Sequence, residues 1–220
     1  MRRYLILSII LTVCAAIGFG YGLFRFFRED EALYVRMIVF AVGSAMFGRL
    51  LETLQLLVNG QISGSFHIGM LGTAGSFLFL FSANYGQMDS LVDDGSKQFR
   101  KTRIIALIAP IVMIAMWGVL ASKGFTAKTA IIGIETLIIA MAAYYHLKHI
   151  IIKDVDFGLI RVIRNYNILA LVYAFLCMAE ILIKSFNLSF VFVIIVYVLQ
   201  CAVMLAFVPV LERGVNKWTI

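Results

Sequence analysis

Charged side chains that could do chemistry lie inside stretches of this sequence that are otherwise apolar. Arg49 and Glu52 interrupt the apolar run 32–58. An ionised side chain near the middle of a bilayer costs about 3 kcal/mol, so such residues usually pair, face the interior of a helix bundle, or line a path for a substrate or proton. The pattern therefore predicts a polar site but does not name its ligand.

Glu135 has no charged residue nearby on its own predicted helix that could neutralise it. Its neighbours three and four positions away on a helix are Ile131, Ile132, Ile138 and Ile139. It must therefore be protonated, be paired across helices with a side chain such as Arg49 or His67, or be reached by water and a cationic ligand. The predicted ligand-binding or proton-coupling site comprises Arg49, Glu52, Gln55, His67, Glu135 and Gln200.

Two carboxylates have local partners that could make them purely structural. Arg49 and Glu52 are three residues apart and could neutralise each other on one helix face. Glu180 and Lys184 are four apart near a helix end and are predicted to form a structural pair. We expect Glu52 and Glu135 to share one functional site and Glu180 to be mainly structural.

The spacings of the common metal, phosphate and nucleophile motifs do not occur in this sequence. His67 is predicted near one membrane face and both His146 and His149 near the other, so the three histidines could not share a metal ion. There is no GxSxG, no Walker lysine and no CxxC, and no lysine lies mid-way along the last apolar segment to bind retinal. We therefore expect no enzyme activity, no metal and no cofactor.

The composition is that of an integral membrane protein. Of the 220 residues, 62 % are hydrophobic and 14 % are charged, and the mean hydropathy is +0.97. Seven apolar stretches approach the roughly 20 residues that one helical crossing needs. They are 4–26, 32–58, 66–88, 104–121, 126–146, 159–183 and 188–210. The sequence predicts an all-α bundle of seven transmembrane helices in which residues 1–220 form a single domain.

Orientation follows from Lys and Arg in the short flanks of these segments, because these residues resist translocation. One face has five of them: Arg2, Arg3, Lys123, Lys128 and Lys184. The other has thirteen: Arg25, Arg28, Arg36, Lys97, Arg100, Lys101, Arg103, Lys148, Lys153, Arg161, Arg164, Arg213 and Lys217. The bias predicts an N-terminus outside and a C-terminus in the cytoplasm, in the plasma or inner membrane.

The predicted cytoplasmic face holds most of the net charge of +7, which attraction to anionic lipid explains without nucleic acid. Residues predicted to contact lipid headgroups or a protein partner are Arg100, Lys101, Arg103, Arg161 and Arg164. Three acidic residues, Asp89, Asp93 and Asp94, precede the first of these, and we interpret that loop as a solvated linker.

Small residues at steps of three and four predict a close contact between the second and third segments. The stripe in the third segment is Ser65, Gly69, Gly72, Ser76, Ala83, Gly86 and Ser90. Its counterpart in the second segment is Ala41, Ala45, Gly48, Glu52, Gln55 and Asn59. This small-xxx-small pattern favours helix packing over phosphate binding, since no strand precedes either stripe.

A shift of 128 residues aligns several matching side chains and suggests a parallel repeat. The aligned pairs include Arg25 with Lys153, Arg36 with Arg164, Phe47 with Phe175, Glu52 with Glu180, Asn59 with Asn187 and Phe79 with Phe207. Three helices would then be repeated on either side of a linking fourth helix, a 3+1+3 arrangement used by small facilitators.

The leading functional hypothesis is a facilitator or secondary transporter of a small molecule or cation, with its site among the second, third, fifth and sixth helices. The alternative is a receptor-like membrane sensor or an accessory subunit that works with a protein partner, and a membrane-embedded enzyme is a third, weaker reading. Topology alone does not separate these, because one fold serves many functions.

The charge bias makes a direct prediction about orientation. A cysteine introduced at Ser63, in the loop after the second segment, should react with a membrane-impermeant maleimide from outside, and one at Ser96 only from inside. Labelling would be measured on intact and on permeabilised cells. The opposite pattern would reverse the orientation and place the polar site in the other leaflet.

Overall fold

A computed structural model of the protein describes residues 2–27, 32–61, 66–152 and 159–216, where the chain is almost entirely helical. The helices are α1 (Arg2–Phe26), α2 (Leu33–Asn59), α3 (Gly69–Ser82), α4 (Lys97–Ala121), α5 (Ala127–Ile151), α6 (Leu159–Ser185) and α7 (Phe190–Asn216). Residues of the sequence argument that lie outside the described ranges are Arg28, Ser63, Ser65, Lys153 and Lys217.

Six helices in the described ranges are long and apolar enough to cross a membrane: α1, α2, α4, α5, α6 and α7. They support a multi-pass, all-α membrane protein. The regular part of α3 has only 14 residues, and the helical backbone then continues as a π-helix, Ala83–Asp89, and a short α-helical turn, Ser90–Val92. A seventh crossing, the orientation and the repeat therefore stay predictions.

Local chemistry explains where some helices begin, bend and end. The side chain of Thr126 accepts a hydrogen bond from the N–H of Thr129 and so caps α5, which begins at Ala127. α4 is interrupted at Leu107, because Pro110 has no N–H that could donate a hydrogen bond to a carbonyl oxygen in the preceding turn. α5 and α7 continue past the predicted ends, since helical hydrogen bonds do not depend on apolar surroundings.

Side-chain contacts fix the relative directions of α1, α2 and α7. Near the start of α1, Ser8 hydrogen-bonds Thr53 of α2, and Phe27 just after its end packs on Phe40, so α1 and α2 are antiparallel. We call the end of the bundle at which α1 begins the upper end, and the opposite end the lower end.

α1 and α7, by contrast, run parallel along most of their length. Tyr4 packs edge-on against Phe190 near the upper end, and Arg25 donates to Glu212 at the lower end. Between them, the absence of a side chain at Gly18 lets the carbonyl oxygen of Met204 approach to within 2.5 Å of the Cβ position. Close packing of this kind stabilises the contact between the two helices, because the hydrophobic effect contributes little to helix association in lipid.

α2 and α3 cross at the predicted stripe of small residues. A Cβ atom at Gly72 would overlap the backbone of Gly48, and one at Gly48 would lie 2.8 Å from the carbonyl oxygen of Gly69. Gly86 does not belong to this crossing, because nothing lies within 4 Å of its Cβ position. The π-helix changes the helical period after Ser82 and turns Gly86 away from α2.

The π-helix also sets which residues of this segment face α5. In an α-helix residues four apart share a face, whereas the wider π-turn aligns residues five apart. Asn84 contacts His146, and Asp89, five residues later, contacts Lys148. The wider turn thus directs both polar side chains toward the same neighbouring helix.

The glycine crossing predicts that Gly72→Leu destabilises the fold far more than Gly118→Leu. An isobutyl group at Gly72 must separate two backbones, which we expect to cost about 3 kcal/mol or to prevent assembly. Gly118 is the matched control, because it is helical and nothing outside its own helix lies within 4 Å of its Cβ position. Gly60, in the loop after α2, would be a poor control, since its φ of 71° disfavours any side chain. Thermal midpoints in detergent would be compared, and equal values would exclude a tight crossing.

Candidate functional site

Arg49 lies at the centre of the polar site and is only 7 % exposed. Its Nη1 donates to Glu52 Oε2 and to Glu180 Oε1, both at 2.9 Å. Its Nη2 donates to Glu180 Oε2 at 2.6 Å and to Gln200 Oε1 at 3.2 Å. The guanidinium thus connects α2 to α6 and α7 and forms a bidentate pair with Glu180, a strong and directional geometry.

Glu180 is held by donors from two further side chains. Lys184 Nζ donates to its Oε1 at 2.6 Å, and Gln200 Nε2 donates to its Oε2 at 2.9 Å. The predicted pair of Glu180 with Lys184 is present, but the carboxylate also binds Arg49 across the bundle. Two cations therefore face two carboxylates, Glu52 and Glu180, and this balance lowers the cost of burying four charges among apolar helices.

Small and hydroxyl-bearing residues position this cluster. A Cβ atom at Gly69 would overlap Cγ of Glu52, so the glycine gives that side chain room to lie between α2 and α3. Thr53 donates to the carbonyl oxygen of Arg49 at 2.8 Å and shares a 2.6 Å hydrogen bond with Ser8 of α1. The packing of three helices thus fixes where the charges lie.

A cavity of about 280 Å³ opens beside the cluster, between α2, α3, α5 and α6. It is lined by Arg49, Glu52, His67, Met70, Thr73, Lys128, Ile132, Glu135, Cys177, Glu180, Ile181, Lys184 and Ser185. Of the predicted site residues, Arg49, Glu52, His67 and Glu135 are in the wall. Gln200 binds Arg49 from α7 and does not line the cavity, and the half-buried Gln55, nearer the end of α2, does not line it either.

Glu135 faces this cavity and is only 7 % exposed. Within the described residues, no hydrogen bond or ion pair reaches its carboxyl group. The pairing with Arg49 or His67 that the sequence allowed is not formed, because Arg49 is already engaged by Glu52 and Glu180. The remaining explanations for Glu135 are a proton on the carboxyl group or a cation in the cavity.

His67 offers a second polar group that is not fully used. Its Nδ1 lies 3.8 Å from Oε1 of Glu52, beyond hydrogen-bonding distance, and is buried without a partner in the described part of the chain. In the same ranges, no group of three or more His, Cys, Asp or Glu side chains could hold a metal ion.

An aromatic layer closes the bundle one helical turn below the cavity. Phe77 of α3 stacks on Tyr173 of α6 with ring centroids 5.1 Å apart, and Phe207 of α7 meets Tyr173 edge-on. All three rings are buried; Phe77 follows the lining residue Thr73 by four residues along α3, and Tyr173 precedes the lining residue Cys177 by four residues along α6. The cavity is therefore separated from the lower half of the bundle.

A second polar cluster lies in that lower half. Asn84 Nδ2 lies 2.7 Å from His146 Nδ1 and donates to Asn167 Oδ1 at 2.8 Å, and all three side chains are fully buried. The sequence argument placed His146 at the membrane face, but the structure places it inside the bundle. Its helix continues to Ile151, so His146 lies more than a turn from the helix end.

Ion pairs fasten the loop between α3 and α4 to α5. Lys148 binds Asp89 at 2.6 Å and Asp93 at 2.7 Å, and Arg103 donates to both oxygens of Asp93 at 2.7 Å. The Arg103 guanidinium, followed by the Lys148 ammonium, holds the pKa of the Asp93 carboxyl well below its usual range. The interpretation of this loop as a solvated linker is therefore wrong, because the two aspartates are bound to buried or half-buried cations.

The basic residues predicted to meet lipid or a partner differ in their surroundings. Arg100 and Lys101 are exposed at the start of α4, whereas Arg103 is bound to Asp93. Arg164 is half-buried, with a long contact of 3.4 Å from its Nη2 to the carbonyl oxygen of Ile152. Arg161 belongs to α6, but its side chain lies outside the described part of the structure.

The central pair predicts a large asymmetry between two arginine substitutions. Arg49→Met leaves the Glu52 and Glu180 carboxylates without their main cation, and we expect it to lower the free energy of unfolding by about 3–5 kcal/mol. Arg100→Met, at an exposed position, should change it by less than about 0.5 kcal/mol.

Thermal midpoints of both variants in the same detergent would test this. The double variant Arg49→Met, Glu180→Met should recover part of the loss, because one of the unpaired carboxylates is then also removed. Equal midpoints for Arg49→Met and Arg100→Met would show that the buried pair contributes nothing to the fold.

No protein-family model matches this chain, no curated protein matches it, and no solved structure matches it.

Proposed function

We propose that this protein is an integral membrane facilitator or secondary transporter of a small molecule or ion, with its site in the cavity between α2, α3, α5 and α6. The observation that supports this most is Glu135, a carboxyl group buried in an apolar helix, directed at the cavity and without a hydrogen-bonding partner in the described residues. Such residues mark ion pathways and proton relays in membrane proteins.

The charge balance of the site supports a coupling role for Glu135. Arg49 and Lys184 offset Glu52 and Glu180, so the cluster is neutral without Glu135. Adding or removing a proton, or binding a cation, at Glu135 then changes the charge of the site by one. A carrier that couples its substrate to a proton or cation needs a group of this kind.

Helix geometry is compatible with transport across the membrane. α1 and α7 are parallel, as expected if an odd number of segments crosses the bilayer, which would make α3 with its π-helix a seventh crossing. Glu52 and Glu180, which the 128-residue shift aligns, both bind Arg49. This shared partner is compatible with the parallel repeat, and the bias of Lys and Arg favours an upper end that lies outside the cell.

A membrane sensor or accessory subunit is the second candidate, and the aromatic layer favours it. Phe77, Tyr173 and Phe207 separate the cavity from the lower half of the bundle, as a receptor that only reports ligand binding would require. A transporter must instead separate these rings during its cycle. The exposed Arg100 and Lys101 would then be available to lipid headgroups or a cytoplasmic partner.

Glu135→Gln and Glu52→Gln provide the test of the transport hypothesis. Proteoliposomes that hold a pH-sensitive dye would be challenged with amines, amino acids, sugars and carboxylates, and internal pH and solute uptake would be recorded together. We expect uptake by the natural protein and a loss of at least about tenfold in both variants, because each replaces an ionisable carboxyl group of the site by a neutral amide. Folding should remain, since glutamine preserves the shape of the side chain.

Glu212→Gln is the matched control, because Glu212 binds Arg25 and Tyr21 at the lower end, away from the cavity. Binding without uptake of any solute would favour the sensor. Normal uptake by both cavity variants would show that these carboxyl groups are not part of the transport site.

A further inference from the structure

Two cations in the wall of the cavity, Arg49 and Lys184, are already bound to carboxylates of the protein. Both terminal nitrogens of Arg49 donate to Glu52, Glu180 or Gln200. Lys184 donates to Glu180 at 2.6 Å. An anionic ligand that bound Arg49 would have to break buried ion pairs, which costs several kcal/mol.

The acceptors in the wall are, in contrast, still available. In the described residues neither oxygen of Glu135 accepts a hydrogen bond, and neither does Oε1 of Glu52, which lies 3.8 Å from His67 Nδ1. Glu135 is more than nine-tenths buried and faces the cavity. In the described residues Glu135 has no cation bound to it, so this carboxyl group suits a positively charged hydrogen-bond donor.

The rest of the lining sets the other properties of the ligand. Met70, Ile132, Cys177 and Ile181 supply apolar surface beside the carboxyl groups. This surface suits a hydrocarbon or aromatic body, and the volume of about 280 Å³ limits its size. Lys128 is the remaining cation of the lining, and its side chain is exposed, so solvent screens its charge.

We propose that the cavity binds a small organic ammonium ion, with its charged nitrogen donating to Glu135 and Glu52 and its apolar body against Met70, Ile132 and Ile181. This inference rests on the proposed function, because it names the ligand class of the same site. Charge-assisted hydrogen bonds to two carboxylates would hold the head group. The neutral cluster behind it would gain one balanced pair, ammonium with Glu135.

The test uses three probes of nearly equal size that differ in charge: 2-phenylethylammonium, 2-phenylethanol and phenylacetate. Their binding to the purified full-length protein in detergent would be measured by equilibrium dialysis and by the shift in thermal midpoint. We expect the ammonium probe to bind at least about tenfold more tightly than either of the others. Glu135→Gln should remove this preference, and Glu212→Gln should leave it unchanged.

The comparison of the three probes on the natural protein keeps the test decisive even where Glu135→Gln fails to fold. Equal or tighter binding of 2-phenylethanol or phenylacetate would overturn the ammonium class while leaving a ligand-binding cavity and the proposed function in place. Absence of binding by all three probes would overturn the class as well, and the uptake assay would then decide separately whether the protein transports anything.

Discussion

The architecture of this protein depends on the ion pair between Arg49 and Glu180. Its two hydrogen bonds, at 2.9 and 2.6 Å, join α2 to α6 across a bundle whose other contacts are mostly apolar. Apolar helices gain little hydrophobic free energy when they pack on one another instead of on lipid. Polar contacts and close packing must therefore determine the arrangement of the helices. Arg49 also binds Glu52 and Gln200, and Glu135 lies beside this cluster, in which two cations offset two carboxylates.

Sequence reasoning found the residues whose cost in a membrane is visible without a structure. Arg49, Glu52 and Glu135 stand out because each is a charged residue in an apolar run, and the glycine crossing of α2 and α3 follows from the spacing of small residues. The sequence could not predict that Arg49 binds Glu180, because the two residues are distant in the chain. Lys184, four residues from Glu180, was already a sufficient explanation for a carboxylate at that position.

The lower half of the bundle was largely missed, and for a physical reason. Asn84, His146 and Asn167 lie far apart in the sequence, and Asn84 belongs to the π-helix, whose altered register a hydropathy pattern does not reveal. Lys148 and Asp93 likewise resemble ordinary flanking charges in the sequence. The available signal was the pair of carboxylates Asp89 and Asp93, together with Lys148 near the end of α5. Many solvated loops share a pattern of this kind.

The π-helix has a consequence for how relatives of this chain should be recognised. A wider turn is equivalent to one residue inserted into an α-helix, and each residue of an α-helix turns the chain by about 100°. A homologue that lacks the insertion would present a different face to α5 from Ala83 onward. Its alignment with this sequence should show a one-residue gap between 83 and 89, and Asp89 and Lys148 should be replaced together, since neither side chain would then have the other within reach.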